Sequence, residues 1–237
     1  MGYILPDRVR VVFIASFPAG AWQTNCYLVG PAPGGECVVV DPGVTAIDTL
    51  RRIVRDQGLV PAGVLLTHGH IDHMFSAAAV AEEYGIGCWI HPADRPSLTD
   101  PYSIPAAREL VARTFGEAPD FTDREPSPLH EVADGDRIEL AGLEFEALHA
   151  PGHTPGSTMY RLAYPDDDRY DALVLTGDVV FAGSVGRTDL PSGDPTVMAE
   201  TLRHVVLGLA DRTVLLPGHG GQTLVSRERA TNPYLQL

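Results

Sequence analysis

Seven consecutive residues constrain this chain more than any other stretch: Thr67-His68-Gly69-His70-Ile71-Asp72-His73 supplies three imidazoles and a carboxylate. The apolar run 63–66 stands directly before it and reads as a buried strand, and the alanine-rich stretch 75–83 directly after it reads as a helix. Polar groups at a strand-to-helix turn project from the end of a rigid element. Histidine and aspartate without a thiolate, at this spacing, form the donor set of a zinc or mixed transition-metal site.

Three later loops repeat the pattern of apolar strand, glycine and donor. They are Ala150-Pro151-Gly152-His153-Thr154-Pro155-Gly156-Ser157, Leu175-Thr176-Gly177-Asp178 and Leu216-Pro217-Gly218-His219-Gly220. Glycine permits the dihedrals and the close backbone approach that loops converging on an ion require. The candidate ligands are therefore His68, His70, Asp72, His73, His153, Asp178 and His219. That is too many for one tetrahedral ion, and it suits two ions sharing a bridging carboxylate and a bridging hydroxide. HxH alone in a loop is a weak signal; HxHxDH with three further glycine-flanked donors is a specific one.

The remaining pattern predicts where these loops sit. Strands are expected at 10–17, 25–29, 37–40, 63–67, 87–91, 137–140, 143–149, 157–162, 171–176 and 213–216. Helices are expected at 45–57, 75–83, 104–115, 195–209 and 226–231. Residues 30–35 and the acidic run 166–168 read as hairpin turns, the latter solvated. Proline-rich 92–128 reads as an insertion over one end of the core. Two runs of strands, each followed by helices, predict an α/β (α+β) architecture of two packed sheets with helices outside, with polar loops along one edge.

Composition narrows the partners. The formal charge is −14, with 31 acidic residues against 17 basic ones, all arginine. Nucleic-acid binding and membrane-surface attachment both want a basic face and are disfavoured. The chain of 237 residues shows neither linker nor repeat, which predicts a single domain over 1–237. Cys26, Cys37 and Cys88 are odd in number and form no CxxC, so they read as buried apolar residues in a reducing cytoplasm. Residues 1–10 lack the basic and apolar regions of a signal peptide, and no apolar run reaches membrane-spanning length.

On the strength of THGHIDH, PGHTPGS, Gly177-Asp178, Gly186-Arg187-Thr188-Asp189-Leu190, PGHG, Gln23-Thr24-Asn25-Cys26-Tyr27, Asp41-Pro42-Gly43 and Asn232-Pro233-Tyr234-Leu235, the chain resembles the metallo-β-lactamase superfamily over nearly its whole length. Within it, the chain is most similar to short glyoxalase II-like (hydroxyacylglutathione hydrolase-like) enzymes. The resemblance implies an αββα sandwich and two divalent ions, zinc with iron or manganese as alternatives. His68, His70 and His153 would hold the first ion, Asp72, His73 and His219 the second, and Asp178 would bridge them. It also implies hydrolysis of a small-molecule thioester, S-lactoylglutathione or one on another thiol carrier, by a metal-bridging hydroxide that Asp72 orients. A full-length glyoxalase II adds a basic C-terminal helical domain for glutathione; eighteen residues follow His219 here and the chain has no lysine, so another thiol carrier is admitted.

Further candidates rest on less. Asp41 is either a turn aspartate or the partner of a ligand histidine, and the resemblance favours the partner. Arg187 would meet a substrate carboxylate or pair with Asp189. Trp22 and Phe181 would line a pocket or pack locally. His149 could reach the site, whereas His91, His130 and His204 show no partner pattern. A one-iron persulfide dioxygenase of the same fold is the alternative activity, using only His68, His153 and Asp178. That relative typically has alanine before the last histidine, where this chain has Gly218. A non-catalytic scaffold is the third reading, disfavoured because all seven donors are kept. A true β-lactamase is disfavoured because the bridging aspartate is replaced in those enzymes.

Overall fold

The computed structural model describes residues 12–102, 104–163 and 169–236. Residues 1–10 and the acidic run 166–168 lie outside them.

The first half runs β1 (Phe13–Ala19), β2 (Thr24–Gly30), β3 (Glu36–Val40), α1 (Ala46–Gln57), β4 (Val60–Leu65), α2 (Ile71–Met74), α3 (Ala77–Tyr84), β5 (Cys88–Ile90), a 3₁₀ turn at Arg95–Leu98, α4 (Pro105–Phe115) and β6 (Leu129–Glu131). The second half runs β7 (Arg137–Leu140), β8 (Leu143–His149), β9 (Thr158–Ala163), β10 (Ala172–Gly177), β11 (Val180–Phe181), β12 (Ser184–Val185), α5 (Pro195–Thr201) continued as a π-helical stretch at Leu202–Val206, β13 (Thr213–Pro217), β14 (Thr223–Leu224) and α6 (Val225–Thr231). One six-stranded sheet is ordered β1-β2-β3-β4-β5-β6 and the other β14-β13-β10-β9-β8-β7.

The layers follow from side-chain alternation. Strand residues point alternately to opposite faces, and the central strands carry continuous apolar runs, as at residues 38–40 and 173–175, because both faces are covered. Leu28, Cys37, Val39, Val64 and Leu66 face a core shared with Leu50 of α1, Val80 of α3 and Val111 of α4. Their neighbours Tyr27, Val29, Val38, Val40 and Leu65 face Phe145, Tyr160, Leu175 and Leu216 of the other sheet. Met159, Val174 and Leu215 then turn outward onto Met198, Leu202 and Val225. The result is helix, sheet, sheet, helix, as expected. The three cysteines are free and buried, also as expected.

Several elements depart from the sequence reading. The helix expected at 75–83 is α3, beginning at Ala77, and a separate turn of helix, α2, precedes it inside the histidine motif. Ser76 separates them, donating its N–H to the Pro42 carbonyl at 2.8 Å and its hydroxyl to that of Gly43 at 2.7 Å. The helix expected at 195–209 gives way to π geometry after Thr201. Strands β6, β11, β12 and β14 are two or three residues long, too short for an alternation to register. Strand β1 runs on to Ala19 through Pro18, which an edge strand admits.

Candidate metal centre

The centre sits where strand ends of both sheets meet. His68 and His70 follow β4, and Asp72 and His73 lie in α2. His153 follows β8, Asp178 follows β10 and His219 follows β13. The parallel register of β10 with β13 places Gly177 opposite Pro217, so Asp178 and Gly218 emerge side by side. The sheets are tied together at this edge: Thr158 donates its N–H to Thr67 O at 2.8 Å, and the Tyr160 hydroxyl donates to Leu66 O at 3.0 Å.

All seven sequence-predicted donors come together. They form three overlapping groups with ligand atoms within 4.8 Å of one another: His68, His70 and His153; His68, His73 and Asp178; Asp72, His73 and His219. His70 Nδ1 lies 3.2 Å from His68 Nε2 and 2.9 Å from His153 Nε2. Asp72 Oδ2 lies 3.3 Å from His219 Nε2 and 3.5 Å from His73 Nε2. Asp178 reaches both sides, with Oδ1 3.4 Å from His73 Nε2 and Oδ2 3.4 Å from His219 Nε2 and 3.7 Å from His153 Nε2.

Four of the five rings are aimed through their outer nitrogen, His70 being the exception. His73 Nδ1 is 2.9 Å from Asp41 Oδ2, His153 Nδ1 is 2.8 Å from the Arg187 carbonyl, and His219 Nδ1 is 3.1 Å from the Trp22 carbonyl. Thr67 donates its N–H and hydroxyl to Asp41 at 2.8 and 2.6 Å, and its oxygen lies 3.1 Å from His68 Nδ1. Thr24 donates its hydroxyl to Asp72 Oδ2 at 2.8 Å. Asp41 is thus the histidine's partner, held at φ 50°, a left-handed conformation that aspartate tolerates better than most residues.

The other candidates fall out as follows. Arg187 pairs through both oxygens of Asp189 at 2.7 Å and also borders the cavity over the centre. Trp22 and Phe181 border the same cavity. His149 does not reach the centre: its Nε2–H donates to the Pro155 carbonyl at 2.8 Å, and its ring stacks on His91 with ring centroids 4.1 Å apart. His130 likewise has a partner, stacking on Trp89, and His204 pairs with Glu200. Thr24, Thr67 and Asp94 were not singled out from the sequence. Thr67 opens the motif and Thr24 lies within a family-like stretch, but neither residue type signals a site by itself.

The two halves differ electrostatically. Burial, with help from neighbouring histidines, holds His68 well below the ordinary imidazole range and brings His70 down to about 3. Burial also opposes charge on His73 and His219, but the carboxylates outweigh it. Asp178, Asp72 and Asp41 hold His73 well above its ordinary value, and Asp178 and Asp72 bring His219 up to about 9. Against the same burial, His73 and His219 bring Asp72 down to about 2 and hold Asp178 well below its ordinary value.

Nitrogen and carboxylate donors without thiolate fit divalent zinc, iron or manganese. The orphaned atoms point the same way: His70 Nε2, His73 Nε2 and Asp178 Oδ1 are buried with no hydrogen-bond partner among the described residues. Buried polar atoms are seldom left so, and two of these three face each other. A divalent ion needs neutral imidazole nitrogens. His68 and His70 already offer them at neutral pH, whereas His73 and His219 must give up protons. Metal uptake at the Asp72, His73 and His219 side is therefore expected to weaken as pH falls below about 9, and more steeply than at the three-histidine side. Calorimetry in buffers of different ionisation enthalpy checks this through the protons released.

An αββα sandwich with a histidine and aspartate metal centre at the strand-end edge defines the class. The family model of the metallo-beta-lactamase superfamily matches residues 19–219, and the chain belongs to that superfamily. It is 43% identical over 228 residues to the uncharacterized protein Rv2581c of Mycobacterium tuberculosis, covering 95% of this chain and 98% of that one. It is 31% identical over 222 residues to hydroxyacylglutathione hydrolase GloC of Haemophilus influenzae, covering 94% and 97%. Among solved structures it is similar to the B3 metallo-beta-lactamase BLEG-1, with TM-score 0.78, 32% identity and coverage of 95% and 100%. It is also similar to TTHA1623 in a di-iron-bound form, with TM-score 0.73, 34% identity and coverage of 94% and 100%. No helix among the described residues is long and apolar enough to cross a membrane.

Proposed function

We propose that the chain is a two-metal hydrolase of small-molecule thioesters. The observation that carries the reading is the room left at Gly218. A Cβ there would overlap Asp178 Oδ1 and stand 2.6 Å from His73 Cε1. Glycine lets these two groups close on the second half of the centre. A one-iron dioxygenase centre on His68, His153 and Asp178 makes no use of that half, and in such enzymes alanine is tolerated at this position.

His68, His70 and His153 would hold one ion, Asp72, His73 and His219 the other, and Asp178 both. Bound there, two divalent ions supply an acidified water and charge to polarise the scissile carbonyl. Asp72 faces the cavity with 14% of its side chain exposed and orients the attacking water, its own rotamer fixed by Thr24. The cavity, about 500 Å³, is walled by Trp22, Ile104, Leu110 and Phe181, which shield the acyl group from bulk water. A thiolate leaves without a strong acid, and the cavity's carboxyl groups are both committed to the centre. The similarity to GloC supports a thioester as substrate, and that to TTHA1623 supports two metals.

The test is metal analysis of protein purified without added metal, followed by turnover of a thioester panel including S-lactoylglutathione, a β-lactam and a persulfide. Two metals per chain and thioester hydrolysis above that of free metal are expected. One iron per chain with sulfite formation would overturn the reading, as would β-lactam turnover exceeding that of every thioester.

A further inference from the structure

Asp94 opens the segment between β5 and β6, carries no sequence motif and is only 3% exposed. Among the described residues no arginine pairs with its carboxylate; three hydrogen-bond donors converge on it. Oδ2 accepts from the Gly69 N–H at 2.8 Å and the Thr154 hydroxyl at 2.6 Å, and Oδ1 accepts from the Gly156 N–H at 2.8 Å. Gly69 stands between His68 and His70, and Thr154 directly follows His153. One buried side chain therefore clamps together the two loops that carry the three-histidine half of the centre, loops from different sheets. The local glycines fit this role. A Cβ on Gly156 would stand 2.6 Å from Asp94 Cγ, and one on Gly69 would stand 2.9 Å from the Asp94 carbonyl and 2.8 Å from Ser97 Cβ. The glycines of THGH and of TPG are what let Asp94 and its turn approach. The hydroxyl chain is directional as well. Thr154 spends its proton on Asp94, so Ser157, 2.8 Å away, donates to Thr154 while accepting the Thr154 N–H at 3.1 Å.

We infer that Asp94 is a positioning residue for the metal centre: it sets the separation of the His68–His70 and His153 loops and thereby how tightly the three-histidine half holds its ion. The inference rests on those histidines holding an ion, not on the identity of the substrate. An asparagine has the same shape but must turn its NH₂ toward the Gly156 N–H or toward the Gly69 N–H and the Thr154 hydroxyl, so at least one clamp bond is lost.

Zinc and cobalt titrations of metal-free protein against a competing chelator test this. His70→Ala and His219→Ala identify which binding step belongs to which half. Asp94→Asn is expected to weaken the three-histidine step about 10- to 100-fold, in the range seen when groups supporting metal ligands are removed, and to alter the cobalt absorption of that step. The step lost in His219→Ala should be unchanged. Thr154→Val, which removes one clamp donor, should weaken the same step, and Thr154→Ser should restore it; this pair decides the matter if Asp94→Asn does not fold. Unchanged affinities, equal losses at both steps, or equal behaviour of Thr154→Val and Thr154→Ser would each overturn the inference. Substrate turnover plays no part, so failure of the thioester reading leaves the outcome legible. A wild-type protein lacking the step removed by His70→Ala would overturn the metal assignment itself.

Discussion

Gly218→Ala is expected to yield a folded protein that binds one ion in place of two and turns over thioester about 100-fold more slowly, the scale that a displacement near 1 Å can have in a catalytic constellation. The added methyl would overlap Asp178 Oδ1 and crowd His73 Cε1. Neither can yield cheaply. His73 is fully buried and tied to Asp41 through Nδ1, and Asp178 stands on the end of β10 next to a backbone bond, 2.8 Å, from Gly218 N to Gly177 O. His73 belongs to the half completed by Asp72 and His219, whereas Asp178 reaches both halves; the His68, His70 and His153 half keeps three donors of its own and should retain its ion. Metal content and kcat/KM on the best thioester are the measurements. A variant with two ions and wild-type turnover would remove the observation on which the two-metal reading stands.

Asp41→Asn is the second large effect, and it differs by striking both halves at once. Thr67 gives its hydroxyl proton to Asp41, so its oxygen is left to accept from His68 Nδ1–H. That sets the tautomer with the Nε2 lone pair toward the centre. The same carboxylate accepts from His73 Nδ1 at 2.9 Å. Oδ2 accepts from both of these donors and Oδ1 accepts the Thr67 N–H, so an amide must present its NH₂ either to the pair or to the Thr67 N–H, displacing Thr67 in each case. Both metal-binding steps are then expected to weaken about 10- to 100-fold, and the metal-free fold to lose about 1.5–3 kcal/mol with a buried hydrogen bond to a charged group. Asparagine tolerates the left-handed backbone at φ 50°, so main-chain strain does not confound the comparison. Titration and thermal denaturation read the two effects separately. Loss confined to one step would contradict the arrangement in which one carboxylate aims both halves.

Much of the centre was legible because each donor is announced locally. A buried strand shows as an apolar run, glycine marks the turn, and histidine or aspartate follows; nothing distant is needed to recognise the pattern at His68, His153, Asp178 or His219. The supporting groups lack any such signal. Asp94 resembles any aspartate in a proline-rich stretch until its three donors, from residues 25 to 62 positions away, are in place. His149 is the reverse case: a histidine close in sequence to a ligand, turned away by its stacking on His91. Among the secondary elements, the long strands and α1 were readable from periodicity. The split between α2 and α3 depended on carbonyls of the 42–43 loop, which local sequence does not display.

By itself, the sequence determined the donor set, its mounting on strand ends and the layered αββα plan, because these follow from side-chain type and from periods of a few residues. The division of the donors into halves was implied by the family resemblance; only the tertiary structure decided which nitrogen of each ring faces inward and, beyond Asp41, which groups aim them. His70 meets His153 across 83 residues, and His219 is held by the Trp22 carbonyl across 197. Such meetings are set by the register of β10 on β13 and by the packing of one sheet on the other, and no local stretch of chain encodes either.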